Sequence, residues 1–161
     1  MIMIDLEGTL SDHTERLAIL QRKTKDDVRH RPSWKEYYKG LIHDEPRPHM
    51  MELVREWIEN DFRPLVYSTR FVNKYNHEEQ WLKIHELWGK VDLIQRHPTQ
   101  TKIKGPDLVV QWVKEKHPEI IVDDRDEVRN KVRGIGLPGL LVYGPDSFLP
   151  DAGDLHGHSL R

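Results

Sequence analysis

Ile2-Met3-Ile4-Asp5-Leu6-Glu7-Gly8-Thr9-Leu10 is the stretch whose reading decides the fold. Ile2 to Ile4 is a short apolar run that reads as a β-strand ending in a carboxylate. A second carboxylate, a glycine and a small hydroxyl residue follow it directly. Parallel α/β sheets put their chemistry in the crevice beyond the carboxyl edge of the strands. A carboxylate placed there can attack phosphorus and form an aspartyl-phosphate. Gly8 lets the backbone turn sharply and approach a ligand. A strand running into an ordinary turn has the same appearance, so the rest of the chain has to carry the argument.

Outward from this stretch, strand-like and helix-like segments alternate. The chain is irregular and polar from Ser11 to about Pro32, and Ser33 to Leu41 reads as a short helix with Ser33 as its N-cap. Pro46-Arg47-Pro48 breaks the chain and opens a helix whose Met50, Met51, Val54, Trp57 and Ile58 recur at helical spacing. Leu65-Val66-Tyr67 reads as a buried strand. A helix over Asn76 to Trp88 follows, with Trp81, Ile84 and Trp88 on one side, and then a strand over Val91 to Ile94. Pro106 opens a helix bearing Leu108, Val109, Trp112 and Val113, which ends by Pro118. Ile120-Ile121-Val122 is a fourth strand, Val128 and Val132 lie on a further helix, and Leu140-Leu141-Val142 is a last strand. Such alternation predicts a parallel sheet covered on both faces. The spacing of the methionines and aromatics already accounts for them as core.

The chain has 161 residues, which predicts one principal domain. Its net charge of −2 gives no overall pull toward nucleic acid or membrane. It has no cysteine, hence no disulfide framework and no thiolate chemistry, as suits a reducing cytoplasm. No run reaches the ~18 apolar residues of a membrane helix. No leader-like segment precedes the first strand. The expected location is cytoplasmic, without membrane contact.

Three other element boundaries carry groups that a nucleophilic Asp5 would need. Ser68-Thr69-Arg70 puts a hydroxyl, backbone N–H groups and a guanidinium at the end of the second strand, suited to phosphoryl oxygens. Lys104 stands before Gly105-Pro106 at a helix start, where an ammonium and free N–H groups can hold an anion; Lys102 competes for the role. Asp123-Asp124-Arg125 closes the fourth strand. Adjacent carboxylates there are costly unless neutralised, and Mg²⁺ with oxygen ligands does this. One of the pair could instead cap the next helix, and the sequence leaves open which of them would bind metal.

These residues, in this order, resemble the haloacid dehalogenase (HAD) superfamily of phosphotransferases. Its four motifs would be Asp5-Leu6-Glu7-Gly8-Thr9, Ser68, Lys104 and Asp123-Asp124. The resemblance is closer to the phosphatase domain of phage-type polynucleotide kinase-phosphatases and their small stand-alone relatives. That group's opening is seen in Gly8-Thr9-Leu10 through Arg16, and its aromatic element in Trp34 to Tyr37. Asp44 to Pro46 and the helix from Met51 to Val54 match the elements that follow, as do Ser68-Thr69-Arg70, Trp81-Leu82 and Arg96. The similarity runs from about Ile2 to Val142.

The resemblance implies a Rossmann-like HAD fold: a central parallel sheet of about five strands, helices on both faces and a small helical cap insertion. The phosphatase domain would span 1–144, with the cap at about 11–46 and a tail at 145–161. Asp5 would be the nucleophile. Glu7 would be general acid and then base, with its main-chain carbonyl on Mg²⁺. Ser68 and Lys104 would hold phosphoryl oxygens, and Asp123 or Asp124 would complete the metal site with Asp5. Arg16, Thr69, Arg70 and Arg96 would contact the substrate. Glu7 departs from the group, which normally has Asp there; the enolase-phosphatase branch of the superfamily has Glu in the same motif. Within the cap, Arg22, Lys23, Lys25, Arg29 and Arg31 outnumber Asp26 and Asp27, which would suit phosphate contacts.

The activity implied is Mg²⁺-dependent phosphomonoester hydrolysis, on nucleotides or nucleic-acid 3′-phosphate ends. Two readings stand beside it: a deoxynucleotide 5′-phosphatase or other small-molecule phosphatase, and a weakly active phosphate- or nucleotide-binding module. The sequence has no Gly-x₄-Gly-Lys-Ser/Thr loop, so 5′-kinase activity is not expected.

Overall fold

The computed structural model describes residues 1–21, 34–72 and 74–142. The basic stretch from Arg22 to Arg31, the Ser33 cap and the tail at 145–161 lie outside the described residues.

Five strands form one parallel sheet: β1 (Ile2–Asp5), β2 (Leu65–Phe71), β3 (Asp92–Arg96), β4 (Ile120–Asp123) and β5 (Gly139–Leu141), in the order β3-β2-β1-β4-β5. The strand order reverses between β1 and β4, which is where open α/β sheets place their ligands. The register pairs Asp5 with Tyr67 and Ile4 with Val122, so Asp5 and Asp123 emerge from neighbouring strands at one edge. Among the described residues six helices accompany the strands: α1 (Thr14–Gln21), α2 (Trp34–Lys39), α3 (Pro48–Glu59), α4 (His77–Ile84), α5 (Gly105–Lys116) and α6 (Asp126–Gly134). A 3₁₀ turn, Gly40–His43, extends α2.

Side chains alternate across each strand, so the sheet has two cores. Ile4, Val66 and Val122 face α3 and α4, packing with Met50, Met51, Val54, Trp81 and Leu82. Met3, Leu65, Tyr67 and Ile121 face α5 and α6, packing with Leu108, Val109, Trp112, Val128 and Val132. Pro48 and Pro106 stand in the first turns of α3 and α5, as their missing N–H allows.

Two expectations need correction. The segment after Ser11 is not irregular throughout: α1 begins where Asp12 Oδ1 accepts the Thr14 N–H at 3.0 Å. Its buried side includes Arg16 beside Leu17, so no apolar stripe announces it. The helix expected over Asn76 to Trp88 stops at Ile84. Glu86, at φ +60, turns the chain and sends Leu87 into the core, which leaves Ile84 57% and Trp88 44% exposed.

Candidate active site

Asp5 closes β1 and Asp123 closes β4, and both are buried. With Asp124 they offer ligand oxygens that all lie within 4.8 Å of one another. Burial first, then repulsion from Asp123, raises the Asp5 pKa well above the usual carboxylate range, against the opposing pull of Arg125. Asp124 is pushed up to about 7 by burial and by Asp123.

The two neighbouring aspartates are not equivalent. Asp123 Oδ1 accepts the Arg125 backbone N–H at 2.7 Å and its Nε–H at 3.0 Å. Its Oδ2 accepts the Tyr67 hydroxyl at 2.5 Å and Arg125 Nη2–H at 2.8 Å. A carboxylate has about four lone-pair sites, so this set saturates Asp123. Asp124 instead lies against the loop after β1. A Cβ on Gly8 would come 2.7 Å from its Cγ and 2.9 Å from His13 Nε2. Neither aspartate caps the next helix: the N-cap of α6 is Arg125, with no side-chain cap hydrogen bond.

Gly8 has φ +87 and also leaves room for Asp124. A left-handed non-glycine residue costs about 1–2 kcal/mol. Gly8→Ala should therefore lose at least that much stability in urea unfolding. Any divalent cation held at Asp124 should also bind more weakly, because that carboxylate has to move. Wild-type metal affinity in this variant would show that the loop and Asp124 are not in contact.

Ser68, Thr69 and Arg70 lie within β2 rather than beyond it, where the register with β3 shifts between Ser68 and Phe71. Ser68 Oγ donates to Glu7 Oε1 at 3.4 Å. Arg70 Nη2 pairs with Glu7 Oε2, and the Arg70 guanidinium lies 4.7 Å from the Tyr37 ring and 4.5 Å from the Tyr38 ring. Glu7 Oε2 also accepts from Arg16 Nη2 at 3.3 Å. The Glu7 carboxylate is thus held between β2 and α1.

Arg16 and Arg96, expected as substrate contacts, have their donors engaged by the protein. Arg16 makes a two-pronged pair with Asp44, Nε and Nη2 each donating at 2.5 Å, and Nη1 donates to the Tyr37 carbonyl at 2.8 Å. Arg96 Nε donates to the Thr69 carbonyl and Nη1 to the Ile103 carbonyl, both at 2.7 Å. Both arginines thus tie neighbouring segments of the protein together. Lys104 is exposed at the N-cap of α5. The next residue, Gly105, packs against Thr69, with its Cβ position 3.4 Å from Thr69 Oγ1. Lys102 lies two residues before this N-cap, outside the helix.

Three residues escaped the sequence reading. Tyr67 anchors Asp123. The Arg125 guanidinium reaches both Asp123 and Asp5, at 3.5 Å from Asp5 Oδ1. Buried His13 shares a hydrogen bond with the Tyr37 hydroxyl at 3.0 Å, and its Nε2 lies 3.9 Å from Asp124 Oδ2. No spacing rule distinguishes them; each is recognised by what the fold sets beside it.

No protein-family model and no curated protein matches the sequence. Solved structures do. A chain of the Pnkp1/Rnl/Hen1 RNA repair complex superposes with TM-score 0.64 at 19% identity, covering 89% of this chain and 42% of that one. A haloacid dehalogenase-like hydrolase from Streptococcus pneumoniae gives TM-score 0.63 at 16% identity, covering 98% and 90% of the two chains. A HAD family hydrolase from Deinococcus radiodurans, solved with bound phosphate and sodium, gives 0.57 at 14%, covering 89% and 81%. The fold is that of the HAD-like hydrolases. This chain spans under half the length of the chain it matches in the RNA repair complex.

Proposed function

We propose that the chain is a Mg²⁺-dependent phosphomonoesterase that works through an aspartyl-phosphate on Asp5, with nucleotides or nucleic-acid 3′-phosphate ends as substrates. The observation that carries the proposal is the meeting of Asp5, Asp123 and Asp124 within 4.8 Å at the sheet edge beside Ser68 and Thr69. The RNA repair complex among the structural neighbours supports the nucleic-acid class of substrate.

The donor set fits a hard cation. Three carboxylates converge, one guanidinium offsets them, and both Asp5 and Asp124 hold their protons above the usual range. Asp5, Asp124 and the Glu7 main-chain carbonyl would hold Mg²⁺, whose charge, when bound, favours ionised carboxylates and a phosphoryl group beside them.

An Asp5 oxygen attacks phosphorus as the ester P–O bond breaks, and Glu7 gives its proton to the leaving oxygen. Glu7 then takes a proton from the water that attacks the same phosphorus, which frees phosphate and restores Asp5. Ser68, Thr69 and the start of α5 with Lys104 receive the non-bridging oxygens. Glu7 must first leave its pairs with Arg70 and Arg16. That clamp favours, as a second reading, a phosphate- or nucleotide-binding module of low turnover.

A panel of 3′-phosphorylated oligonucleotides, free 3′- and 5′-mononucleotides and p-nitrophenyl phosphate tests the reading. Mg²⁺-dependent release of phosphate, abolished by EDTA, is expected, with the 3′-phosphorylated strand preferred. Preference for 5′-mononucleotides would give the deoxynucleotidase reading, and binding without turnover the module.

Metal binding should depend on pH with a definite sign. The Asp124 pKa is about 7, raised from the ordinary 3.8, so the metal-free fold loses stability as pH rises through that span. Mg²⁺ binds the ionised form. Its affinity should therefore fall about tenfold per pH unit below neutrality for each proton displaced. Thermal unfolding with and without Mg²⁺ should show a larger stabilisation at about pH 8 than at about pH 6. Equal stabilisation at both would contradict the assignment.

A further inference from the structure

We propose that Arg125 is a ligand for the phosphoryl group transferred to Asp5, and that Asp123 and Tyr67 serve to hold it in place. The proposal rests on the phosphatase reading above. One edge of the guanidinium is fixed: Nε donates to Asp123 Oδ1 at 3.0 Å and Nη2 to Asp123 Oδ2 at 2.8 Å. The Arg125 backbone N–H reaches Asp123 Oδ1 at 2.7 Å, and the Tyr67 hydroxyl reaches Oδ2 at 2.5 Å. Asp123 is therefore a base plate with no lone pair left to give.

The other edge faces the groups that must surround phosphorus. Nη2 is 3.5 Å from Asp5 Oδ1, and Nη1 is 3.5 Å from Thr69 Oγ1. Thr69 in turn abuts Gly105 at the N-terminus of α5. A phosphoryl group attacked by Asp5 has to lie next to Asp5, and the Thr69 hydroxyl that would receive one of its oxygens is within reach of Arg125. The contacts to Asp5 and Thr69 are long, whereas those to Asp123 are short. The outer N–H groups can therefore turn to a stronger acceptor without losing the anchor. Exposure has the same asymmetry: the Asp123 side chain is 1% exposed and that of Arg125 18%. A planar fork fixed on one edge and open on the other is the geometry in which arginine recognises phosphate oxygens.

The test compares wild type, Arg125→Gln, Arg125→Lys and Tyr67→Phe as full chains. It measures orthovanadate inhibition of p-nitrophenyl phosphate hydrolysis, calorimetric Mg²⁺ affinity and thermal unfolding. Arg125→Gln should weaken vanadate inhibition by about 10- to 100-fold, the scale of a hydrogen bond to a charged group. Mg²⁺ affinity should hold or rise, since Asp5 and Asp124 remain and the positive charge 3.5 Å from Asp5 is gone. Arg125→Lys should restore part of the vanadate response. Tyr67→Phe, which loosens only the anchor, should shift it several-fold in the same direction, and it decides the matter if Arg125→Gln does not fold. An active wild type with unchanged vanadate inhibition in Arg125→Gln and Tyr67→Phe, whatever their melting temperatures, would reduce Arg125 to a structural partner of Asp123. A wild type that neither turns over p-nitrophenyl phosphate nor binds vanadate would overturn the phosphatase reading itself.

Discussion

Asp5→Asn should abolish turnover while making the metal-free protein more stable. The two effects have opposite signs for one reason. Asp5 is buried at the end of β1, where burial and Asp123 disfavour its charge more than Arg125 favours it. An asparagine keeps the shape and drops the charge, so the fold is relieved of a cost that the site needs for chemistry. The amide is not a competent nucleophile, and deleting a covalent nucleophile costs on the order of 10⁶-fold in kcat. Arg125 still has Asp123 in this variant, so its position should hold. Phosphate release from p-nitrophenyl phosphate and a thermal melt without Mg²⁺ read both effects. Retention of more than roughly 1% of wild-type turnover would remove Asp5 from the nucleophile's role. A lower melting temperature would show that Arg125 favours the Asp5 charge more than burial opposes it.

Which parts of this molecule could be read from the sequence follows from how local their causes are. The strands announce themselves as apolar triplets, such as Leu65-Val66-Tyr67 and Ile120-Ile121-Val122, because a sheet covered on both faces buries both sides of each strand. Helix α5 is legible from Pro106 and the spacing of Leu108, Val109, Trp112 and Val113. Helix α1 is not, because its buried face is built around an arginine whose partner, Asp44, lies 28 residues away. Partners supplied by the fold likewise hide how Arg16 and Arg96 are held. A guanidinium that meets substrate and one tied to Asp44 or to the carbonyls of Thr69 and Ile103 look alike as letters. Asp123 and Asp124 separate only when Tyr67, on another strand, is seen to reach one and Gly8 to make room for the other.

Glu7→Gln should lose about 10²- to 10⁴-fold in kcat on a poor leaving group such as a nucleotide 3′-phosphate, the usual worth of a positioned acid/base. The loss on p-nitrophenyl phosphate should be smaller, since p-nitrophenolate leaves without needing a proton. This difference between substrates identifies a proton donor, because a purely structural defect would depress both equally. The clamp adds a second expectation. The Glu7 carboxylate reaches Arg70 and Arg16 together, and an aspartate is one methylene shorter, about 1.5 Å. Glu7→Asp should therefore withdraw from the two guanidiniums while keeping a carboxyl group on the loop after β1. It should retain wild-type turnover or exceed it, which would make the longer side chain a brake on the reaction rather than a requirement for it. Glu7→Gln as active as wild type on both classes of leaving group would remove the acid/base role. Glu7→Asp as inactive as Glu7→Gln would mean that the pairing with Arg70 and Arg16 sets the working geometry of the carboxyl group instead of restraining it.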